Sequence, residues 1–188
     1  MKKLLMLGML FLPTLAIAAI PDFSGTWARD AANSDPVPNL MYWMTRVAPT
    51  PPRAGGAQRP VPVVLLTVHQ DAKGLKVVDP QSAIHEYTLD SDGATHTKPM
   101  DTGIQKAQVS AKLQGDSLVI ETAEPFGGMP GNVTLKVKEV WSLSADGKSL
   151  TIVTTRDIPA RHQEYKQVYT RTKDQPGTIC SDGCVVPK

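Results

Sequence analysis

The stretch from Asn132 to Arg156 constrains the fold more than any other. Val133, Leu135, Val137, Glu139, Trp141 and Leu143 occupy alternate positions, separated mostly by polar residues such as Thr134, Lys136, Lys138 and Ser142. A period of two over this length specifies a long strand with one buried face. Ser144-Ala145-Asp146-Gly147-Lys148 follows, and its Asp-Gly step suits a tight turn that requires positive φ. Leu150, Ile152 and Thr154 resume the alternation on the return. The segment therefore predicts a β-hairpin.

The same pattern recurs along the chain. Phe23 to Trp27 reads as a first strand, with Phe23, Gly25 and Trp27 on one face, and Asp30 to Asp35 as its polar exit. Further strands are expected over 63–70, 75–78, 84–89, 104–113, 117–122 and 164–171, with a short one over 95–98. Turn residues separate them, including Asp71 to Gly74, Asp90 to Gly93 and Gly115-Asp116. No long window has helical apolar spacing. Such a meander must bury an apolar face and hide its edges, and closing into a barrel does both. The expected fold is all-β: an antiparallel up-and-down barrel of eight or nine strands. A two-sheet sandwich is the competing arrangement, but it needs longer crossing connections than the sequence after residue 63 provides.

Two segments stand outside this pattern. Seven of the 16 prolines fall within 36–62, which rules out a continuous strand or helix there. This Pro-rich insertion after the first strand reads as a binding loop or lid, or equally as a disordered insertion. Asn39 to Met44 within it suits a short helix capped by Asn39. Residues 1–19 carry Lys2 and Lys3, an apolar run from Leu4 to Leu15, and Ala16-Ile17-Ala18. That is the pattern of a secretory signal peptide, with an apolar run too short for a spanning helix. The expected location is periplasmic or secreted, without stable membrane insertion after cleavage.

Loss of Lys2 and Lys3 reduces the 20 Lys and Arg to 18, equal to the 18 Asp and Glu. A balanced chain with no Lys/Arg cluster argues against nucleic acid as a partner. The remaining length, from residue 20 to 172, is one domain's worth, followed by a tail over 173–188. Cys180 and Cys184 in that tail are the two cysteines of the chain. An oxidising compartment favours a disulfide between them; a metal-gripping pair is the alternative, although two ligands alone do not make a structural site.

Gly25-Thr26-Trp27 resembles the Gly-x-Trp that opens the first strand of lipocalins and their calycin relatives. In that family an Arg near the end of the last strand lies over the indole at the closed end of the barrel. The resemblance makes Arg171 the expected partner of Trp27. The chain also resembles a broad set of exported bacterial lipocalin-like proteins of largely undefined function. These begin Phe-Ser-Gly-Thr-Trp and carry a Trp-Ser-Leu-Ser-Ala-Asp-Gly-Lys hairpin, matched here by Trp141 to Lys148. The resemblance spans 22–172 and departs at the Pro-rich insertion and the tail.

Among the chemistry-bearing residues, Glu139 shares a face with Val137 and Trp141 and is expected inside. Arg171 shares a face with Tyr165, Gln167 and Tyr169 and is expected inside as well. A carboxylate in an apolar interior must be paired or neutralised, so Glu139 is either an ion-pair partner of Arg171 or a reader of a ligand. His85 shares a face with Tyr87 and Leu89; it is a ligand contact, a base, or an ordinary hydrogen-bonded histidine. His69, His96 and His162 have no metal-ligand spacing, and no metal site or cofactor is expected. No nucleophile elbow, phosphate loop or dinucleotide fingerprint occurs. Trp43, Met44, Phe126 and Met129 either pack over the barrel ends or line the entrance for a greasy ligand. The leading expectation is a barrel that holds a small hydrophobic molecule, oriented by Tyr87, His85 or Glu139. The alternatives are an enzyme on the same scaffold using Glu139 or His85 as acid and base, and a filled barrel acting through its surface.

Overall fold

A computed structural model describes residues 20–36, 64–79, 83–90, 93–99, 106–126, 133–159 and 161–173. Ten strands run through them: β1 (Gly25–Arg29), β2 (Leu65–Gln70), β3 (Gly74–Val78), β4 (Ile84–Thr88), β5 (His96–Pro99), β6 (Lys106–Gln114), β7 (Ser117–Phe126), β8 (Val133–Leu143), β9 (Ser149–Ile158) and β10 (Arg161–Thr172). Their order in the sheet is β4-β3-β2-β1-β10-β9-β8-β7-β6-β5. Consecutive strands are antiparallel neighbours, and the first strand pairs with the last. The break falls between β4 and β5. There Leu89 forms a bridge with Ala111, and the Asp90 amide donates to the Ala111 carbonyl at 3.2 Å. The chain is thus an all-β, antiparallel, nearly closed barrel, with no helix among the described residues.

The strand number corrects the expectation of eight or nine. The short strand expected over 95–98 is present as the four-residue β5, which pairs with β6 alone and brings the total to ten. Lys98 on β5 reaches across the break to the Tyr87 ring on β4, with Nζ 4.4 Å from the ring centroid. The first strand also begins two residues later than its apolar pattern suggested. Phe23 precedes it and turns inward as a plug rather than continuing the ladder. Residues 1–19, the 36–62 segment beyond Pro36, and the tail containing Cys180 and Cys184 lie outside the described residues.

Alternation along the strands builds the core. Phe23, Trp27, Val68, Leu118 and Leu150 have no accessible surface. Phe23 meets Trp141 edge to face, with centroids 6.3 Å apart, and the Trp27 Nε1–H donates to the Phe23 carbonyl at 3.0 Å. Full burial of each such side chain contributes about 1.5–3 kcal/mol. The opening hairpin forms as expected. Its turn is closed by the Gly147 amide donating to the Ser144 carbonyl at 2.8 Å, with Gly147 at φ 66°.

The first and last strands meet at a single motif. Trp27 is directly opposite Arg171 in the β1–β10 ladder, and the guanidinium carbon lies 4.3 Å from the indole centroid. Arg171 Nη1 donates to the Ser24 carbonyl at 2.6 Å, and Nε donates to the Gly147 carbonyl at 3.1 Å. One side chain therefore ties the N-terminal entry, the last strand and the β8–β9 turn together. Arg171 is exposed, which corrects its expected interior position: it covers the indole from the solvent side. Gly25 makes room for it. Gly25 adopts φ 140°, and a Cβ there would sit 2.7 Å from Arg171 Nη1. Gly25→Ala is expected to lower the unfolding free energy by about 1–3 kcal/mol, measured by urea denaturation. An unchanged midpoint would show that neither the backbone geometry nor the guanidinium position matters.

Candidate functional site

The interior away from the Trp27 floor carries a row of polar groups that the strand register sets side by side. Ala111, Ile120, Glu139, Thr154 and Tyr165 are successive cross-strand partners on β6, β7, β8, β9 and β10. The next inward row contains Val109, Thr122, Val137, Arg156 and Gln163. Residues directly opposite share a face, so both rows point inward together.

Glu139 lies at the centre of this surface. Its Oε2 accepts a hydrogen bond from the Trp141 Nε1–H at 3.0 Å. As a residue it keeps some accessible surface, yet its carboxyl is surrounded by protein. Burial pushes its carboxyl above the ordinary carboxylate range, opposed by the indole hydrogen bond and by the charges of Arg156 and His85. Arg171 is not its partner. The expected Glu139–Arg171 pair is replaced by the Trp141 bond and by Arg156, because Arg171 sits outside the Trp27 floor.

Arg156 serves several neighbours. Its guanidinium carbon lies 4.9 Å from the Tyr165 ring centroid. Its charge also opposes the upward shift that burial imposes on Glu124. Burial likewise raises the Tyr165 hydroxyl, and it pushes Tyr169 up to about 12. Across the barrel, Tyr87 is raised mainly by burial, with a further contribution from the Glu139 charge. β4 and β8 are not neighbours in the sheet. The influence between Tyr87 and Glu139 therefore crosses the interior from one wall to the other.

The expected contacts divide into three groups. Glu139 and Tyr87 converge on the interior. His85 shares their face but sits at the rim: it stacks on Tyr87 with centroids 6.5 Å apart, faces Asp79 Oδ2 at 3.3 Å, and leaves 46% of its side chain exposed. Phe126 is the last residue of β7, and its side chain lies outside the described residues, as do Trp43, Met44 and Met129. Arg156, Tyr165, Gln163 and Lys98 belong to the site and were not singled out from the sequence. The signal for Arg156 was present, since it continues the alternation of Leu150, Ile152 and Thr154. Among the described residues no group of three His, Cys, Asp or Glu is placed to hold a metal ion. A groove bordered by Gln108, Ser110, Lys136 and Lys138, whose side chains alternate outward, also includes Thr122 and Val137 of the inward row in its lining.

Strand order and interior together define an up-and-down antiparallel barrel, lipocalin-like in plan, with an apolar floor and polar groups above it. No family model matches the chain, and no curated protein matches it. Among solved structures it is similar to a secretary abundant heat soluble (SAHS) protein from Ramazzottius varieornatus. The identity is 12%, covering 82% of this chain and 98% of that one, with a TM-score of 0.47.

The raised Glu139 carboxyl has a consequence for stability. The unfolded chain ionises first, near the ordinary value of about 4.3, while the folded chain still holds its proton. Wild-type stability is full below that value and declines as pH rises through the folded value. Glu139→Gln keeps an acceptor for the Trp141 indole and has nothing to ionise. Its urea midpoint should match wild type near pH 3.5 and exceed it near pH 8. A difference that does not change with pH would contradict the buried carboxyl.

Proposed function

We propose that the barrel holds a small, largely hydrophobic molecule in its interior. Its apolar body would lie above the sealed Trp27 floor, and its polar end would meet Glu139 and Tyr87, which keep accessible surface. One observation carries this reading. The register sets Glu139, Thr154 and Tyr165, and in the next row Arg156 and Gln163, side by side on the inward face of β8, β9 and β10. A packed core of this size would not retain polar groups with so few partners, because each costs stability unless satisfied. A few convergent polar groups in an apolar enclosure are the usual makeup of a small-molecule site. Export to the periplasm or beyond, indicated by residues 1–19, belongs to the same proposal.

A second reading rests on Glu139 alone. A carboxyl held toward its neutral form is suited to donate a proton, and His85 is close enough to influence it electrostatically. Acid–base chemistry on a bound molecule would then be lost in Glu139→Gln, whereas a binding protein would retain uptake.

Titration of the purified protein with Nile red, a neutral solvatochromic dye, tests the main reading. The expected result is saturable blue-shifted emission with one dye per chain. Val137→Trp, which fills the inward row beside Arg156, should weaken uptake at least tenfold while leaving the circular dichroism spectrum unchanged. Equal dye binding in wild type and Val137→Trp would place the dye elsewhere and overturn the interior site.

A further inference from the structure

Three buried side-chain atoms have no hydrogen-bond partner among the described residues: Arg29 Nε and Arg156 Nη1, both donors, and Gln163 Oε1, an acceptor. Arg156 and Gln163 are direct cross-strand partners on β9 and β10, in the row above Glu139, Thr154 and Tyr165. Arg156 leans over Tyr165, with its guanidinium carbon 4.9 Å from the ring centroid. Buried polar atoms left unpaired cost roughly 1–3 kcal/mol each, so an unpaired donor and an unpaired acceptor on facing strand positions call for a partner that supplies both bonds.

We infer that the molecule held in the barrel has an uncharged head that pairs a hydrogen-bond acceptor with an adjacent donor, as a primary carboxamide does. This assignment rests on the interior being a binding space. The carbonyl oxygen of such a head accepts from Arg156 Nη1, and its N–H donates to Gln163 Oε1. Charge decides against the ionic alternatives. Arg156 already acts as counter-cation to two carboxyls, Glu139 and Glu124. An anionic head would compete with both and set its second oxygen against the Gln163 oxygen. A cationic head would face the guanidinium and leave its donor unpaired. An amide adds no charge and completes both bonds. Such a head suits fatty amides and related lactams or ureas with an apolar body.

The test is competition for the Nile red site by three molecules of equal chain length: hexadecanamide, palmitic acid and hexadecylamine, each below its aggregation threshold. The amide should displace dye at least tenfold more effectively than the acid or the amine. Gln163→Met and Arg156→Lys should each reduce that preference to below threefold, the preference being the ratio of amide to acid or amine displacement within one variant and so independent of that variant's Nile red affinity. Arg156→Lys keeps the charge facing Glu139 and Glu124, so it separates the lost hydrogen bond from lost charge balance. An acid or amine that matches or exceeds the amide overturns the head-group assignment and leaves the binding barrel standing. Dye uptake with no displacement by any of the three does the same. Failure of Nile red itself to bind removes the barrel reading, and this assignment with it.

Discussion

The indole of Trp27 beneath the guanidinium of Arg171 is the contact on which the rest of the structure depends. A ten-stranded meander becomes a barrel only if its ends meet, and they meet here, with Trp27 and Arg171 opposite in the β1–β10 ladder. The stack contributes about 0.5–2 kcal/mol by itself. Its greater importance is geometric. The same guanidinium bonds the carbonyls of Ser24 and Gly147, so the chain entry, the closing strand and the β8–β9 hairpin are located by one side chain. Phe23 and Trp141 then pack around Trp27 to seal that end, and the opposite end is free of this constraint.

The sealed floor makes sense of the polar surface above it. The chain carries Glu, Arg and Gln at the inward positions 139, 156 and 163, in register on β8, β9 and β10. Such groups lower stability relative to a hydrocarbon interior. They stand on consecutive strands, in register, which is the arrangement on which the proposed binding role rests. Rigid strands hold these side chains, so their spacing is fixed by the ladder rather than by loops.

Much of the architecture was legible in the sequence because side-chain alternation is a direct consequence of strand geometry. The β8–β9 strands and the inward face of Glu139 follow from period two, and the turn at Gly147 from its Asp-Gly step. The Trp27–Arg171 contact followed from a resemblance, and its physical basis is independent of that resemblance. What could not be read was the partner of Glu139. Alternation says that a residue faces inward but not how far along the barrel axis it sits, and that depends on the register between strands distant in sequence. Arg171 and Glu139 share the inward parity yet lie on opposite sides of the Trp27 floor. Arg156 was within reach of the same reasoning, as the next inward position after Thr154, but the hairpin pattern drew notice only to its apolar members. The short β5 was hard to count because four residues carry too little periodicity to separate a strand from an extended loop.

A double-mutant cycle between Trp27→Phe and Arg171→Met, followed by urea denaturation, tests the closure most directly. The structure predicts a coupling energy of about 1 kcal/mol between the two positions, with the single variants each less stable than wild type. Destabilisations that add within about 0.3 kcal/mol would mean that the two side chains do not act together, and that the barrel is closed by something else.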